Sequence, residues 1–430
     1  MRALFWHRRD LRSEDNAGLY KALKSGASVI PVFIFDSNIL SELTENDKRV
    51  SFIYNSIKDL KAIYQQHGSD LIIRFGNPIE LIPKLAENFN AKMVFTNRDY
   101  EPYALDRDRK IFDLLNNSNI QFTGTKDHVI FEKNEILKND GKPYTVFTPY
   151  SKKWKEKLDD FYVSSYPTSS YFSKLEKRNP EPLLGLKEMG FLQEPYAKDS
   201  KEPNVSIIDK YHLTRDLPAI HGTSRLSVHL RFGTISIREL CRIALKHNPT
   251  YLNELIWRDF YQMIIYHFPH SAINSFRKDY DAIRWENNED HFIAWCEGKT
   301  GYPLVDAGMR ELNETGFMHN RVRMVTASFL TKHLLLDWRL GEAYFAMKLM
   351  DFDLASNVGG WQWAAGSGCD AAPYFRVFNP TSQQEKFDPK FEYIKKWVPE
   401  FGTSSYPEPI VEHKMARERA IERYRSTLKK

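Results

Sequence analysis

The segment from Asp351 to Trp363 combines residue types that could bind a redox-active ring and use it. It reads Asp-Phe-Asp-Leu-Ala-Ser-Asn-Val-Gly-Gly-Trp-Gln-Trp. Its acids and its amide can hydrogen-bond a polar heteroaromatic ring, and its paired glycines let backbone approach such a ring closely. The two tryptophans offer stacking faces or steps for electron transfer. This mixture is typical of the floor of a flavin site that adjoins space for an unstacked nucleobase.

A loop rich in small hydroxyl residues precedes a helical pattern earlier in the chain. Gly222–Ser227 reads Gly-Thr-Ser-Arg-Leu-Ser. Backbone N–H groups at a helix start, together with hydroxyls and an arginine, can hold a pyrophosphate. The same residues also fit a plain Ser or Thr cap at the start of a helix, so both interpretations stay open.

Two further helical patterns each place a polar group beside a large apolar one. Glu254 and Trp257 lie three residues apart, and Asn320 and Met324 lie four apart, so each pair shares one helix face. Taken singly, such a face is usually buried core. Taken together, a carboxylate that accepts and an amide that donates and accepts are suited to reading the edge of a base.

The first third of the chain carries the elements that would position a ligand crevice, because strand and helix patterns alternate there. Amphipathic helical stretches such as Lys48–His67 and Pro78–Phe89 separate short β-rich runs. Those runs are Ala3–Trp6, Ser28–Phe35, Leu71–Phe75, Lys92–Thr96 and Ile120–Thr123. The alternation predicts right-handed crossovers and a parallel sheet, with any ligand beyond the carboxyl ends of the strands.

The alternation stops after the last of these runs. From Gly124 to about Asn204 the chain is rich in Ser, Tyr, Pro and Lys, and from Val205 onward helical periodicity dominates. We therefore predict an α/β domain over residues 1–130, an interdomain linker over 131–204 and a helical domain over 205–430. The expected fold class is α/β plus all-α, with a Rossmann-like parallel sheet, a long linker and a C-terminal helical domain.

Composition excludes several classes of protein. The net charge is only +5, so affinity for a polyanion would need a local basic patch. The three cysteines are far apart and fit neither a zinc site nor a disulfide framework, and we expect no metal. The apolar stretch Val29–Phe35 is too short to cross a membrane, and Met1–Asp10 lacks the apolar core of a signal peptide. These features predict a soluble cytoplasmic protein without a membrane partner.

Blocks of residues along nearly the whole chain occur in the order and spacing of one known family. They are Phe5–Arg12, Gly222–Ser227, Asn253–Arg258, Gly298–Pro303, Met318–Met324, Asp351–Trp363, and Asn379-Pro380 before Phe387-Asp388. The chain resembles the photolyase/cryptochrome family, and within it the class I cyclobutane pyrimidine dimer photolyases of microbes.

The resemblance implies a deoxyribodipyrimidine photo-lyase, which repairs cyclobutane pyrimidine dimers in DNA by electron transfer from photoexcited FADH⁻ to a flipped-out dimer. The implied partner is DNA that contains such dimers; a monomer without an obligate protein partner is expected.

Relatives that repair the (6-4) photoproduct carry a second histidine at the position of Asn320, so asparagine favours the cyclobutane dimer. A cryptochrome-type blue-light receptor without repair and a (6-4) photolyase are the alternatives. A nucleotide-binding transferase module is disfavoured, because no glycine-rich phosphate loop follows the first strand.

The resemblance further implies that the helical domain holds FAD in a bent form. The implied cofactor-binding residues are Tyr211, Thr223, Ser224, Arg225, Leu226, Ser227, Tyr251, Arg323, Asp351, Phe352, Asp353 and Asn357. Among them Asp351 and Asp353 would bond the edge of the isoalloxazine ring, and Arg323 would pair with Asp351. Asn357 would face flavin N5, where an amide, unlike an acid, does not readily deliver a proton.

The same resemblance implies a substrate pocket and an electron relay. The flipped dimer would lie between Trp257 and Trp363, with the catalytic side chains of Glu254, Asn320 and Met324 around its base edges. Further residues implied to contact DNA are Arg215, Arg258, Tyr261 and Arg321. The implied relay from the flavin to the surface runs through Trp361, Trp338 and Trp285, whereas Trp295 and Trp397 are expected to be core.

The chain departs from the family pattern at a few positions. Phe317 stands where a tryptophan is common, and Phe352 stands where a glycine is common between the two aspartates, so we expect altered packing near the flavin. Tyr103-Ala104 replaces the Asn-Glu pair of folate-binding relatives. This favours a deazaflavin or a second flavin over methenyltetrahydrofolate as antenna, and an absent antenna is the open alternative.

Overall fold

The computed structural model of the protein describes residues 1–197 and 199–428. It has two compact units. One comprises Met1–Glu135, Trp154–Pro203 and Arg225–Lys246; the other comprises Ile136–Lys153, Asn204–Ser224 and the chain from His247 onward. The boundaries 1–130, 131–204 and 205–430 stay a prediction. Lys198 of the predicted linker, and Lys429 and Lys430 of the predicted helical domain, lie outside the described residues.

The first unit is built on the predicted parallel sheet. Its strands are β1 Arg2–His7, β2 Ser28–Asp36, β3 Ile72–Gly76, β4 Ala91–Asn97 and β5 Gln121–Thr125, in the order β3-β2-β1-β4-β5. All neighbouring strands run parallel. The predicted strands are therefore confirmed, with ends that shift by one or two residues.

The helices complete the element order. In chain order they are α1 Ala17–Leu23, α2 Ser37–Leu40, α3 Lys48–Gln66, α4 Pro78–Asn88, α5 Pro102–Asn117, α6 Phe147–Lys157, α7 Asp160–Val163, α8 Val205–Thr214, α9 Ser227–Phe232, α10 Ile237–His247, α11 Pro249–His267, α12 Glu289–Glu297, α13 Pro303–Thr315, α14 Asn320–Ser328, α15 Trp338–Lys348, α16 Leu354–Ala365, α17 Pro380–Phe387, α18 Glu392–Trp397 and α19 His413–Leu428. A π-helix follows α14 over Phe329–His333, and short 3-10 helices occur at Ser169–Lys174, Lys187–Met189, Pro269–Ala272 and Lys278–Ala282.

The central strand β1 is buried on both faces of the sheet, because helices cover each side. Ala3 and Phe5 belong to one hydrophobic cluster, and Leu4 and Trp6 belong to the other. Alternate side chains of a strand point to opposite faces, which explains this division. Burial on both faces also explains why the strand reads as a continuous apolar run and not as an alternating one.

The second unit is helical and has one large core to which α13, α14, α15 and α16 contribute. Glycines let two of its ring contacts form: a Cβ at Gly341 would collide with the ring of Trp361, and a Cβ at Gly359 would collide with the ring of Tyr261. The indole of Trp361 can therefore pack directly against α15. The phenol of Tyr261 can pack directly against α16, so these glycines set the approach of the helices that carry the predicted site.

The predicted helical patterns of this unit are confirmed where an apolar face repeats, as in α11, α13 and α15. The regular helical periodicity is interrupted at one point: α14 ends at Ser328, and a π-helix continues to His333. Among the described residues, no helix is both long enough and apolar enough to span a lipid bilayer.

A buried histidine, His333, is expected to make the stability of this unit depend on pH. Nε2 of His333 lies 2.8 Å from Nδ1 of His413 at the start of α19. Burial, with the charges of His413 and Arg419 adding to it, lowers the pKa of His333 to about 3. The unfolded chain, in which a histidine has its ordinary pKa of about 6.5, therefore binds more protons than the folded protein as the pH falls from about 6.5 toward 3.

We expect the free energy of unfolding to fall between pH 7 and pH 5 by up to about 2 kcal/mol through this residue, since one pKa unit corresponds to about 1.4 kcal/mol. Urea unfolding at the two pH values measures the fall, and His333→Asn should reduce it because asparagine does not titrate. An equal pH dependence in the two proteins would show that His333 does not contribute.

Candidate functional site

Asp353 stands at the start of α16 and is 8% exposed. Its Oδ1 accepts a hydrogen bond from the backbone N–H of Ser356 at 3.1 Å, which makes it the N-cap of the helix. The side-chain amide of Gln262, on α11, donates to both carboxylate oxygens at 3.2 and 3.1 Å. Asp353 therefore joins α11 to α16 by side-chain hydrogen bonds.

Asp351, two residues earlier, forms an ion pair with α14. The guanidinium of Arg323 donates to its two carboxylate oxygens at 3.1 and 2.9 Å. Nε of the same arginine donates to the backbone carbonyl of Met318 at 2.7 Å. The pair that the resemblance implies between Arg323 and Asp351 is thus present, and it fixes the chain just before α16.

The residues around Asp353 fit a flavin ring. Oε1 of Gln262 is buried and has no hydrogen-bond partner among the described residues. A buried acceptor without a partner costs about 1–3 kcal/mol, so a bound ring that brings an N–H donor would be stabilised there. On α16, a Cβ built at Gly360 would meet no described atom within 4 Å, so the helix borders open space at that point.

Asn357, one turn into α16, donates hydrogen bonds from its side-chain amide to α15. Nδ2 donates to Oε1 of Glu342 at 2.9 Å and to the backbone carbonyl of Glu342 at 3.1 Å. Burial raises the pKa of Glu342, and the hydrogen bond from Asn357 opposes that rise. These bonds orient the amide of Asn357. Phe352, between the two aspartates, packs half-buried against the helical core.

Glu254 on α11 is paired with an arginine that follows α8. Nη1 of Arg215 donates to Oε1 of Glu254 at 2.6 Å, and each side chain is 32% exposed. Burial raises the pKa of Glu254, whereas the charge and the hydrogen bond of Arg215 oppose that rise. Next to this pair, Arg321 donates to Asp216 at 2.7 Å. Two arginines that are predicted to contact DNA therefore carry acidic partners in this structure.

Removal of Arg215 should leave the carboxylate of Glu254 without its ion-pair partner and so lower the free energy of unfolding. A raised pKa in the folded state means that Glu254 keeps its proton to higher pH in the folded protein than in the unfolded chain. The free energy of unfolding therefore falls as the pH rises through the folded-state pKa. We expect Arg215→Met to destabilise the protein by about 1 kcal/mol more at pH 8 than at pH 5, after allowance for partial solvent screening. Glu254→Gln in the same background should remove that difference in denaturant unfolding, and its persistence would assign the effect to another group.

Trp257, three residues after Glu254, lies in a cluster of aromatic rings. Its ring is stacked on Phe147 with centroids 3.7 Å apart and planes 3° apart. Phe260 lies edge-on at 5.6 Å and 80°, and Tyr261 lies at 5.4 Å and 32°. The indole is therefore packed against three rings, one of them face-to-face.

Trp363 borders a small cavity of about 20 Å³ between α11 and α16. The described residues that line it include Tyr261, Cys369 and Asp370, but not Trp257. The ring of Trp363 is tilted by 38° to that of Phe378 at 6.3 Å. Tyr261 thus contacts Trp257 and lines the same cavity as Trp363.

Asn320 and Met324 share one face of α14, as their spacing predicts. Nδ2 of Asn320 approaches Sδ of Met324 at 4.0 Å, a weak contact, and Asn320 is exposed. Arg321 on the same helix also stacks its guanidinium on the ring of Phe387, 4.2 Å from the centroid. Arg258 on α11 is half-buried.

The structure decides between the two interpretations of the Gly222–Ser227 loop in part. Leu226 is the N-cap of α9 and no side-chain cap hydrogen bond forms there, so the plain Ser or Thr cap is wrong for the described chain. Arg225 has a φ of 53°, in the left-handed region. Thr223 and Ser224 belong to the helical unit and Arg225–Ser227 to the sheet unit.

In the helical unit, the hydroxyls of Ser224 and Tyr251 lie 2.9 Å apart. Tyr211 meets Tyr251 edge-to-face at 5.1 Å. Burial raises the pKa of Tyr251 to about 12, so this phenol is a neutral hydrogen-bonding group at physiological pH. Three of the predicted cofactor residues, Tyr211, Ser224 and Tyr251, are therefore brought together.

The predicted relay tryptophans all touch the helical core. Trp361 and Trp338 are buried within it, and Trp285 packs half-buried at its edge. The ring of Trp361 lies 6.0 Å from that of Trp295, which is fully buried as predicted for a core residue. Trp338 is the first residue of α15, and the guanidinium of Arg339 lies 4.8 Å from its ring centroid.

At the carboxyl end of the sheet, charged side chains surround one indole. The guanidinium groups of Arg8 and Arg107 lie 4.8 and 4.9 Å from the ring centroid of Trp6. Its buried Nε1 lacks a hydrogen-bond partner within residues 1–197 and 199–428. Tyr103 donates to Asp36 at 2.7 Å, which links the ends of β2 and α5. These residues lie at the carboxyl end of the sheet, where the topology predicts a ligand.

Sequence reasoning missed Gln262, Glu342 and Phe147. Gln262 lies eight residues after Glu254 on α11, so helical spacing from that residue could have found it. Glu342 carries no comparable signal, because its importance comes only from its contact with Asn357. Phe147 lies more than a hundred residues before Trp257 in the chain, so no local pattern relates the two.

Two domain families match the chain. The DNA photolyase family matches residues 3–170, and the FAD-binding domain of DNA photolyase matches residues 251–404. Among curated proteins, the deoxyribodipyrimidine photo-lyase of Synechococcus is 39% identical, over 96% of this chain and 94% of the relative. That of Halobacterium salinarum is 36% identical, over 97% of this chain and 98% of the relative.

Solved structures agree with these matches. A bacterial class III photolyase from Agrobacterium tumefaciens superposes with a TM-score of 0.88 at 32% identity, over 100% of this chain and 98% of that chain. An archaeal photolyase from Sulfolobus tokodaii with two FAD molecules gives 0.82 at 35% identity, over 99% and 100%. A Synechocystis cryptochrome gives 0.83 at 27% identity, over 98% of each chain. The chain therefore belongs to the photolyase/cryptochrome family, with a DNA photolyase domain and an FAD-binding domain.

Proposed function

We propose that this protein is a deoxyribodipyrimidine photo-lyase that repairs cyclobutane pyrimidine dimers in DNA under light. The observation that carries the proposal is the arrangement of α11. This one helix bears Glu254 and Trp257, suited to a base, and Gln262, whose unpaired acceptor beside Asp353 fits a flavin ring. Curated relatives that match nearly the full length of the chain have the same activity in their names.

The proposed FAD site uses the polar residues of α16 and its neighbours. Asp353 and Gln262 would bond the ring edge, and Asp351 would be held in place by Arg323. Asn357, oriented by Glu342, would face N5. Further residues of the proposed site are Tyr211, Thr223, Ser224, Arg225, Leu226, Ser227, Tyr251 and Phe352. When bound in its reduced form and excited by light, FAD supplies the electron that opens the dimer.

The proposed substrate site combines stacking with hydrogen bonds. A dimer pairs and stacks poorly, so flipping it out of the duplex costs less than flipping an intact base. Stacking on an indole face stabilises a bound base by about 1–3 kcal/mol, and we assign this stacking to Trp257 and Trp363. Glu254 would hydrogen-bond a base carbonyl and stabilise the charge that develops there. Asn320 and Met324 would contact the other base edges.

Backbone phosphates would be bound by the basic residues near the pocket, Arg215, Arg258 and Arg321, with Tyr261 at the rim. In the free protein Arg215 and Arg321 hold Glu254 and Asp216. A phosphate would therefore have to compete with a carboxylate for each guanidinium. We expect DNA affinity to fall steeply with salt, since each phosphate contact releases condensed counterions.

The proposal extends to the electron relay and to the antenna. Trp361, Trp338 and Trp285 would carry electrons to the flavin, because all three rings touch one buried core.

For the antenna we propose a flavin or deazaflavin at the carboxyl end of the sheet, near Trp6 and Tyr103. The two FAD molecules of the Sulfolobus tokodaii relative support this proposal. The proposed domain limits are 1–130, 131–204 and 205–430, and the proposed active form is a monomer.

A cryptochrome-type receptor is the second candidate, and the similarity to the Synechocystis cryptochrome favours it. Illumination separates the two candidates. Holoprotein with reduced FAD is mixed with oligothymidylate that contains cyclobutane dimers, and absorbance at the thymine maximum is followed in light and in the dark. Recovery of thymine absorbance only in light is the expected result. A light-induced flavin spectral change without that recovery would favour the receptor.

A further inference from the structure

We propose that Phe147 is a positioning residue that fixes the plane of Trp257 and leaves one face of this indole open to a base. The proposal rests on the proposed function, in which Trp257 stacks on the flipped dimer. Phe147 lies outside every block that carries the family resemblance, and it is the first residue of α6.

The geometry of the two rings carries the proposal. With centroids 3.7 Å apart and planes 3° apart, the rings of Phe147 and Trp257 are in full face-to-face contact. A base is also a flat ring that stacks at such a distance, so it cannot occupy the face that Phe147 covers. Only the opposite face of the indole remains for the dimer.

Two further rings contact the same indole. Phe260 meets Trp257 edge-on at 5.6 Å and Tyr261 lies at 5.4 Å. Phe147 itself meets Phe260 at 5.9 Å and 78°. Rotation of the indole would therefore displace several packed rings, which a close-packed cluster resists. An indole that is already fixed loses little conformational freedom when a base stacks on it.

Phe147 is anchored, which identifies it as a fixed support and not as a movable cover. Its backbone N–H donates to Oδ2 of Asp370 at 2.9 Å. One turn later in α6, the buried ring of Tyr150 lies 5.1 Å from that of Phe260. The side chain of Phe147 is thus placed by its own backbone and by the next turn of its helix.

The anchor also connects Phe147 to the second tryptophan of the proposed pocket. Asp370 and Trp363 line the same small cavity of about 20 Å³. Phe147 therefore contacts Trp257 on α11 through its ring and, through its backbone, Asp370, which follows the helix that carries Trp363.

The test compares two substitutions in the holoprotein, in the dark so that no repair occurs. Phe147→Leu keeps an apolar side chain without a flat face, and Phe147→Tyr keeps the ring. We expect Phe147→Leu to weaken binding of an oligonucleotide with a single cyclobutane thymine dimer by about 3- to 10-fold, the range of aromatic pair energies. Phe147→Tyr should bind as the unchanged protein does. Affinity for the undamaged oligonucleotide should not change, because phosphate contacts dominate it.

A spectroscopic readout distinguishes positioning from general destabilisation. The near-ultraviolet circular dichroism of the stacked indole should decrease in Phe147→Leu and persist in Phe147→Tyr. Phe292→Leu is the matched control, since Phe292 lies nearly parallel to another indole, that of Trp295, at 6.1 Å and 17°. This control should leave dimer binding unchanged.

The outcomes separate this proposal from the proposed function. Unchanged dimer affinity in Phe147→Leu, with weakened affinity in Trp257→Ala, would overturn the role of Phe147 and leave the proposed function intact. Tighter dimer binding in Phe147→Leu would also overturn it, because Phe147 would then cover the face that the base needs. Unchanged affinity in Trp257→Ala would contradict the stacking role of Trp257 and, with it, both proposals.

Discussion

Asp353→Ala is expected to yield a colourless protein that no longer retains FAD. The substitution removes the carboxylate that accepts from Gln262 at 3.1 Å and that caps α16 at Ser356. A hydrogen bond to a charged group contributes about 1.5–3 kcal/mol, so loss of ring contacts at this carboxylate should weaken FAD binding on the order of 100-fold. Titration of the apoprotein with FAD, followed by quenching of flavin fluorescence, measures the effect.

Two further variants separate cofactor binding from helix capping. Asp353→Asn keeps a side-chain oxygen that can cap α16 but removes the charge. We therefore expect its affinity for FAD to lie between that of the unchanged protein and that of Asp353→Ala. Asn288→Ala removes the N-cap of α12, where Asn288 accepts from His291 at 2.9 Å. This control should lose stability of about 1 kcal/mol and keep its flavin. Yellow protein from Asp353→Ala would contradict the proposed position of the ring.

Trp257→Ala is expected to lose lesion binding and to keep the flavin spectrum. One indole face contributes about 1–3 kcal/mol to the stacking of a base, which corresponds to about a 5- to 150-fold rise in the dissociation constant for dimer-containing DNA. Trp257→Phe retains a smaller aromatic face, so its dissociation constant should lie between those of the unchanged protein and Trp257→Ala. Fluorescence anisotropy with a labelled oligonucleotide, measured in the dark, gives the constants.

Trp397→Phe is the control for this prediction, because Trp397 also packs half-buried against the helical core but lies outside the proposed pocket. It should bind dimer-containing DNA as the unchanged protein does. Equal losses for dimer-containing and undamaged DNA in Trp257→Ala would mean that the substitution disturbs the general DNA surface and that Trp257 does not select the lesion.

Much of the fold follows from local sequence patterns. The central strands β1 and β2 were predictable because each is a continuous apolar run, and buried parallel strands require such runs. Helices with a repeating apolar face, such as α11 and α13, were predictable for the analogous reason. The break after Ser328 was not predictable, since the residues of the π-helix continue the apolar pattern of α14 and only the hydrogen bonding changes.

The candidate site was predictable only where neighbouring residues carry it. Asp351, Asp353 and Asn357 lie in one segment, and Glu254 and Trp257 lie on one helix face. The partners that orient them come from distant parts of the chain: Glu342 for Asn357, Arg215 for Glu254 and Phe147 for Trp257. Pairings over such separations depend on tertiary packing, which local periodicity does not encode.

The repair reaction itself provides the most direct measurement. An oligonucleotide with a single cyclobutane thymine dimer and a second one with a single (6-4) photoproduct are illuminated separately with the reduced holoprotein, and the products are separated by liquid chromatography. The account predicts conversion of the cyclobutane dimer to two thymines in light, no conversion in the dark and no change of the (6-4) photoproduct. An unchanged cyclobutane dimer after illumination of protein that carries reduced FAD would contradict it.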